Sequence, residues 1–273
     1  MRYRRRRMKL SHAAALGILL AVGACTGKGS NTPGSGDPER MSESEYDIAR
    51  DAFLRQKNPR QALDHALKAL DLNEDNFEAA HLVALIYLAL CSTGTDECRL
   101  GEAEKYARAS LKAKEDFREA KNTLGVVLIH AKKYDDAIAV LKPLSEDMLY
   151  QTPENAWGNL GWAYLEKGRL DAAIDALSRS VAAQPLFCVG NFRLGTAHEK
   201  KKQLTEALEA YGRALATEAP ACKGLQDAYL GRGRVLVKLG RGGEAEEDLR
   251  KCKELLPTSA AGKECSSILA NLK

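Results

Sequence analysis

The sequence predicts an all-α fold, a superhelical solenoid of about six helix–turn–helix units closed by a C-terminal capping helix. Two observations predict it. An alanine recurs after each short turn, at Ala62, Ala103, Ala137, Ala173, Ala207 and Ala245, at intervals of 41, 34, 36, 34 and 38 residues. Twelve positions before each alanine, nineteen in the second unit, stand Arg50, Ala84, Gly125, Gly161, Gly195 and Gly233. Small residues at two fixed places suit two helices in close contact, and apolar residues at i, i+3, i+4 and i+7 fill the space around them.

The clearest unit is ENAWGNLGWAYLEKGRLDAAIDALSRSVAAQPLF, residues 154–187. Its Trp157, Leu160, Gly161, Tyr164, Ala173, Leu177 and Pro185 match the tetratricopeptide (TPR) pattern W-x2-L-G-x2-Y…A-x3-F…P. In that register six units fill residues 43–258, beginning near Glu43, Phe77, Arg118, Glu154, Cys188 and Gln226. The second unit carries seven extra residues between its helices, at CSTGTDEC; the third carries two and the fifth four, both at their C-terminal ends. Residues 259–273, SAAGKECSSILANLK, read as the capping helix that covers the last apolar face.

The chain opens on a leader. A cationic stretch, MRYRRRRMK, precedes the apolar AAALGILLAVGA at 13–24. That run suits a signal-peptide core and is shorter than the roughly 18 or more apolar residues of a membrane span. The arginine run contains a twin-Arg pair, but the remaining twin-arginine pattern is poor, so it reads as an ordinary n-region. Val22, Gly23 and Ala24 lead into Cys25, which resembles the bacterial lipobox: an aliphatic residue, two small ones, then cysteine. Small flanking side chains let a transferase reach the thiol and a peptidase cut beside it. A plain secretory peptide with an incidental cysteine is the alternative. The lipobox implies cleavage after residue 24, a covalent lipid on Cys25 as the only non-protein group, and membrane attachment through it. Thr26 stands where many inner-membrane lipoproteins of Gram-negative bacteria carry Asp, so the resemblance implies an outer-membrane anchor facing the periplasm. Residues 26–42 are rich in Gly, Ser, Pro and Thr. With Cys25 they read as a flexible tether spanning roughly 20–25 Å.

The net charge of +4 belongs to the leader: residues 1–24 hold six of the basic residues and no acid. Setting them aside leaves 35 basic groups against 37 acidic ones, with no basic stripe to neutralise a phosphate backbone. Nucleic acid is therefore not an expected partner.

Seven cysteines is an odd number. Lipidation of Cys25 leaves six, in a compartment where disulfides persist. Sequence permits 15 pairings of six cysteines, which the repeat register narrows. Cys91 and Cys98 bracket the insertion of the second unit. Cys252 lies on the second helix of the sixth unit and Cys265 on the cap. Cys188 opens the fifth unit and Cys222 lies just before the sixth. The alternative for Cys188 and Cys252 is a small buried free thiol. Zinc is disfavoured, because no C-x2-C pair exists and the five histidines are scattered. His198 occupies the place of Tyr87 and Tyr164 in other units and reads as a packing residue.

No catalytic constellation is present: no G-x-S-x-G, no H-E-x-x-H and no phosphate-cradling glycine loop. The sequence thus predicts neither an enzyme nor a small-molecule substrate, but a binding groove lined by the first helix of each unit. Its candidate residues are His81, Leu85 and Leu88; Asn122, Val126 and Ile129; Asn155, Trp162 and Leu165; and Val189 and Phe192. This is an apolar face with a few amides, and Trp162 and Phe192 are candidate anchors. Packing against neighbouring helices is the alternative for several of them. The Lys/Asn pattern with which some co-chaperones clamp a C-terminal carboxylate is absent, since Asn122 and Val126 stand in its place.

The stretches LKPLSEDMLYQTPENAWGNLGWAYLEKG (141–168) and QPLFCVGNFRLG (184–195), behind a lipobox and within six TPR units, resemble the type IV pilus biogenesis lipoproteins. These are the PilF/PilW pilotin family, and the wording and the placement of Cys188 resemble its Tgl-like branch. The resemblance implies a non-catalytic lipoprotein that binds secretin subunits and promotes their multimerisation. The extra cysteines and the seven-residue insertion go beyond the simpler PilF pattern. A general scaffold for another envelope protein is the second reading, because fold alone does not choose between them.

Overall fold

The computed structural model describes residues 36–92, 98–216, 219 and 222–272. The leader, Cys25 and residues up to 35 lie outside the described residues. Thirteen helices carry the described part, and no strand occurs among the described residues. They pair as α1 (Pro38–Leu54) with α2 (Pro59–Leu72), α3 (Phe77–Ser92) with α4 (Leu100–Ala113), and α5 (Arg118–His130) with α6 (Tyr134–Ser145). The series continues with α7 (Pro153–Glu166) and α8 (Leu170–Ala183), α9 (Cys188–Lys200) and α10 (Leu204–Leu215), and α11 (Gln226–Lys238) and α12 (Gly242–Leu255), and ends on α13 (Ala260–Asn271).

Helix α1 corrects the expected linker. It starts at Pro38 rather than after Ser42, because Asp37 caps it and Pro38 stands in its first turn. Ser42 is fully buried and donates to the Ala69 carbonyl at 2.7 Å, which ties this first turn to α2.

The recurrent small residues set how closely each pair packs. A Cβ added at Gly125 would sit 2.5 Å from Leu141, and one at Gly161 2.5 Å from Leu177. At Gly195 it would meet Tyr211 at 2.7 Å, and at Gly233 it would meet Leu249 at 2.8 Å. Each of these large side chains is fully buried and lies four residues after the recurrent alanine. The second unit departs from this: Ala84 replaces the glycine, and the matching position holds Ala107, both fully buried.

Turns inside the units share a second device. A residue with positive φ lies five positions before the alanine: Lys57 (56°), Lys132 (60°), Gly168 (77°), Lys202 (62°) and Gly240 (74°). In the second unit Cys98 holds that position, and its disulfide to Cys91 joins the ends of the insertion. Two further disulfides link Cys188 to Cys222 and Cys252 to Cys265. The latter staples α13 to α12, with both sulfur-bearing residues fully buried. Gln226 adds to the junction by donating to the carbonyls of Cys252 (2.7 Å) and Leu256 (3.0 Å).

Gly161→Ala should cost about 1–3 kcal/mol by overpacking against Leu177, read as a lower urea midpoint, and adding Leu177→Ala should restore part of it. Gly212→Ala, in α10 with open space around its Cβ, should instead stabilise by about 0.5–1 kcal/mol. Replacing both Cys252 and Cys265 by Ala opens a 13-residue loop. The expected loss is about 3 kcal/mol, and an unchanged urea midpoint would show the staple to be idle.

Candidate partner-binding face

Each helix packs on its sequence neighbours. Beyond that, the odd-numbered helices α1 to α13 each touch the next odd-numbered one, while the even-numbered helices do not touch each other among the described residues. The first helices of the units therefore form one continuous wall, the inner side of the solenoid.

The seams of this wall are polar. Between α3 and α5, His81 Nε2 and Thr123 Oγ1 share a hydrogen bond of 2.8 Å. Asn159 on α7 donates to Asn122 Oδ1 on α5 at 3.0 Å. Arg193 on α9 donates through Nη1 to Asn159 Oδ1 (3.0 Å) and to the Gly158 carbonyl (3.3 Å) on α7. Its guanidinium lies 4.3 Å from the centre of the Trp162 ring, a cation–π contact. His130 meets the same indole edge-on at 5.1 Å, and Trp162 Nε1 donates to Glu166 at 3.3 Å. Farther along, Glu199 on α9 pairs with Arg234 (3.3 Å) and Lys238 (2.8 Å) on α11 and accepts from the Tyr211 hydroxyl at 2.9 Å. Arg234 reaches on to Glu264 on α13 at 3.1 Å.

Electrostatics follow from these contacts. Burial pushes the Arg193 guanidinium down to about 10, against the opposing charge of Glu166, so it stays cationic at neutral pH. Burial alone would raise the Glu199 carboxyl, but Lys238, Arg234 and Tyr211 outweigh it and hold it below the usual range. Burial likewise works against the Arg234 charge, and Glu199 with Glu264 overcomes it. Burial pushes the His81 imidazole down to about 4, so it is neutral at pH 7.

The eleven groove residues expected from sequence separate into groups. His81, Asn122 and Trp162 lie in the seams just described. Leu85, Leu88, Val126, Asn155 and Val189 are half-buried on the same helices. Ile129 and Leu165 are corrections: each is only 3% exposed. Ile129 packs with Leu128, Ala137 and Leu141, and Leu165 with Ala173, Leu177 and Leu194, so both face the core between helices. Phe192 also leans inward, its ring 6.2 Å from that of Tyr211.

The polar members Asn159, Arg193, Glu199 and Arg234 escaped the sequence reading. Arg193 stands at the sixth place of its unit, outside the positions taken to face the groove. Glu199 and Arg234 stand at the twelfth and ninth places of their units, as Leu165 and Trp162 do in theirs, but carry charge rather than apolar surface. A charge at a facing position of a first helix was the available signal. Among the described residues no group of three His, Cys, Asp or Glu side chains could hold a metal ion, and no helix is long and apolar enough to cross a membrane.

Stacked helical hairpins whose first helices share a wall of aromatic, amide and cationic side chains form a TPR solenoid, a fold that binds other proteins. The tetratricopeptide repeat family model matches residues 99–142, 149–186 and 192–260. That is more than half of the chain, which belongs to this family. In sequence it is homologous to the type IV pilus assembly protein PilF of Pseudomonas aeruginosa, 29% identical over 179 residues. The match covers 62% of this chain and 65% of PilF, less than two-thirds of the relative's length. In fold it is similar to PilW, a widely conserved type IV pilus biogenesis factor, with a TM-score of 0.69 at 23% identity. That similarity covers 82% of this chain and 98% of PilW. The solved structure of Pseudomonas aeruginosa PilF gives a TM-score of 0.67 at 17% identity, over 85% of this chain and all of PilF.

The depressed His81 pKa has a pH consequence. Between about 6.5 and about 4 the unfolded chain binds a proton at this residue that the folded chain does not, so stability should fall as pH drops through that window. Urea midpoints at pH 7, 5.5 and 4 should decline, and His81→Gln should flatten the decline. A slope that the substitution leaves unchanged would place the effect elsewhere.

Proposed function

We propose that this protein is a pilotin. In this reading it is an outer-membrane lipoprotein, anchored by acyl chains on Cys25, that binds secretin subunits along the wall of first helices. Binding promotes secretin multimerisation for type IV pilus assembly, and the protein acts stoichiometrically, by holding an assembly-competent subunit. The sequence homology to PilF carries the reading. The similarity of fold to PilW and PilF over nearly their whole lengths supports it, and the lipobox before Cys25 agrees with it.

The chemistry of the wall suits such a role. Half-buried leucines and valines supply apolar area, and Trp162 supplies a rigid aromatic surface of the kind that anchors partners. Hydrogen-bonding groups between the helices add direction to that apolar contact.

Deletion of the gene should abolish heat-stable secretin multimers on a denaturing gel, and the wild-type copy should restore them. Multimers that persist unchanged would defeat the pilotin reading and favour a scaffold for another envelope protein. Cys25→Ala should leave the protein out of the outer-membrane fraction and fail to restore multimers.

A further inference from the structure

We propose that the wall holds a carboxylate-recognition subsite built on Arg193, Trp162 and His130, which takes the acidic side chain of an extended segment of the partner protein. The inference rests on the reading of this wall as the partner-binding face.

The donor inventory of Arg193 is the starting point. A guanidinium has five N–H donors. Nη1 directs its two to α7, at Gly158 and Asn159. Among the described residues Nε and Nη2 have no acceptor, and no carboxylate lies within the 4.0 Å of an ion pair. No side-chain polar atom of the described residues is both sealed from solvent and unpartnered. The free Nε and Nη2 groups are therefore not fully sealed from solvent. Arg234, at the next seam, and its neighbour Lys238 are both neutralised by acids of the chain. Of the three seam cations Arg193, Arg234 and Lys238, Arg193 is the one with no acid in ion-pair distance among the described residues.

The geometry fits a carboxylate. Nε and Nη2 form the edge that donates two parallel hydrogen bonds to a pair of oxygens. Trp162 covers the guanidinium plane at 4.3 Å, and the two bonds through Nη1 fix its rotation, so the fork is set before a ligand arrives. A preset donor loses little conformational freedom on binding. His130 braces the indole from its other contact, edge-on. Glu166 holds the indole N–H but stays outside ion-pair distance of Arg193. The surroundings favour a peptide as the bearer of the carboxylate: Asn122 and Asn159 offer amides beside the fork, and Val126 and Val189 on the flanking helices are half-buried. The wall continues past Arg193 in both directions, which suits a side chain of a passing segment better than a chain end.

The test uses the purified, detergent-solubilised lipoprotein carrying Trp157→Phe, which leaves Trp162 as its single tryptophan. Its emission is followed at constant ionic strength against three tripeptides: Ac-Gly-Glu-Gly-NH2, Ac-Gly-Gln-Gly-NH2, and Ac-Gly-Gln-Gly with a free C-terminal carboxylate. The Glu peptide should give a saturable change with an affinity roughly tenfold or more above that of the capped Gln peptide. Arg193→Gln should abolish that preference. Arg193→Lys keeps the charge without the fork and should reduce the preference severalfold, which decides the matter if the Gln variant melts. Equal responses to the Glu and capped Gln peptides would overturn the proposal. So would a preference that survives Arg193→Gln, or a stronger response to the free-carboxylate peptide. The titration contains no secretin, so its failure leaves the pilotin reading standing. Unchanged secretin multimers after deletion defeat that reading whatever the titration gives.

Discussion

The contact on which the solenoid depends is the seating of one large side chain against a missing one. In units three to six a glycine on the first helix leaves room for Leu141, Leu177, Tyr211 or Leu249 on the second. Neither partner can grow without displacing the other, because the interior is close-packed. In the second unit two small, fully buried residues, Ala84 and Ala107, stand at these positions instead. Tyr211 extends the device across a unit boundary. It is fully buried, and a Cβ at Gly231 on the next first helix would come within 2.5 Å of its ring.

That interlock accounts for the polarity of the inner wall. The large apolar side chains are used between the two helices of a unit and between each second helix and the next first helix. Adjacent first helices are left with a narrow seam, and polar side chains span it: His81 with Thr123, Asn122 with Asn159, Arg193 with Asn159, and Glu199 with Arg234. A single hydrogen bond contributes about 0.5–1.5 kcal/mol net, far less than the burial of several leucines. The core thus sets the fold, and the seams decide which chemical groups the wall presents to a partner.

Legibility from sequence followed the same division. The period and the small residues were readable because close packing admits few side chains there. Burial at the wall was less readable, since a helical position gives a direction but not what stands opposite. Ile129 and Leu165 are buried in the clusters that hold Leu141 and Leu177, which only the assembled structure reveals. Arg193 lies one place from an expected facing position, and its long side chain crosses to α7. The start of α1 was readable in principle: Asp37-Pro38 is a helix-start signature, but the surrounding Gly, Ser and Pro composition gave it the look of a linker.

The places where the period breaks explain the cysteines. Where residues are added, the seating of one unit no longer dictates the position of the next, and some other link has to do so. The seven-residue insertion of the second unit is joined at its ends by Cys91 and Cys98. The longer connection after the fifth unit is tied back to the start of α9 by Cys188 and Cys222. After the sixth unit, Cys252 and Cys265 join α13 to α12. The smallest break, two residues after the third unit, has no disulfide. There Arg118 pairs with Asp147 at 2.7 Å and Tyr150 is buried in the core, which is enough for a short detour. Covalent links thus stand at the longer breaks and at α13, and noncovalent contacts suffice at the short one. Such an array holds its spacing best where thiols stay oxidised, and the export proposed from the leader would deliver it to a compartment of that kind.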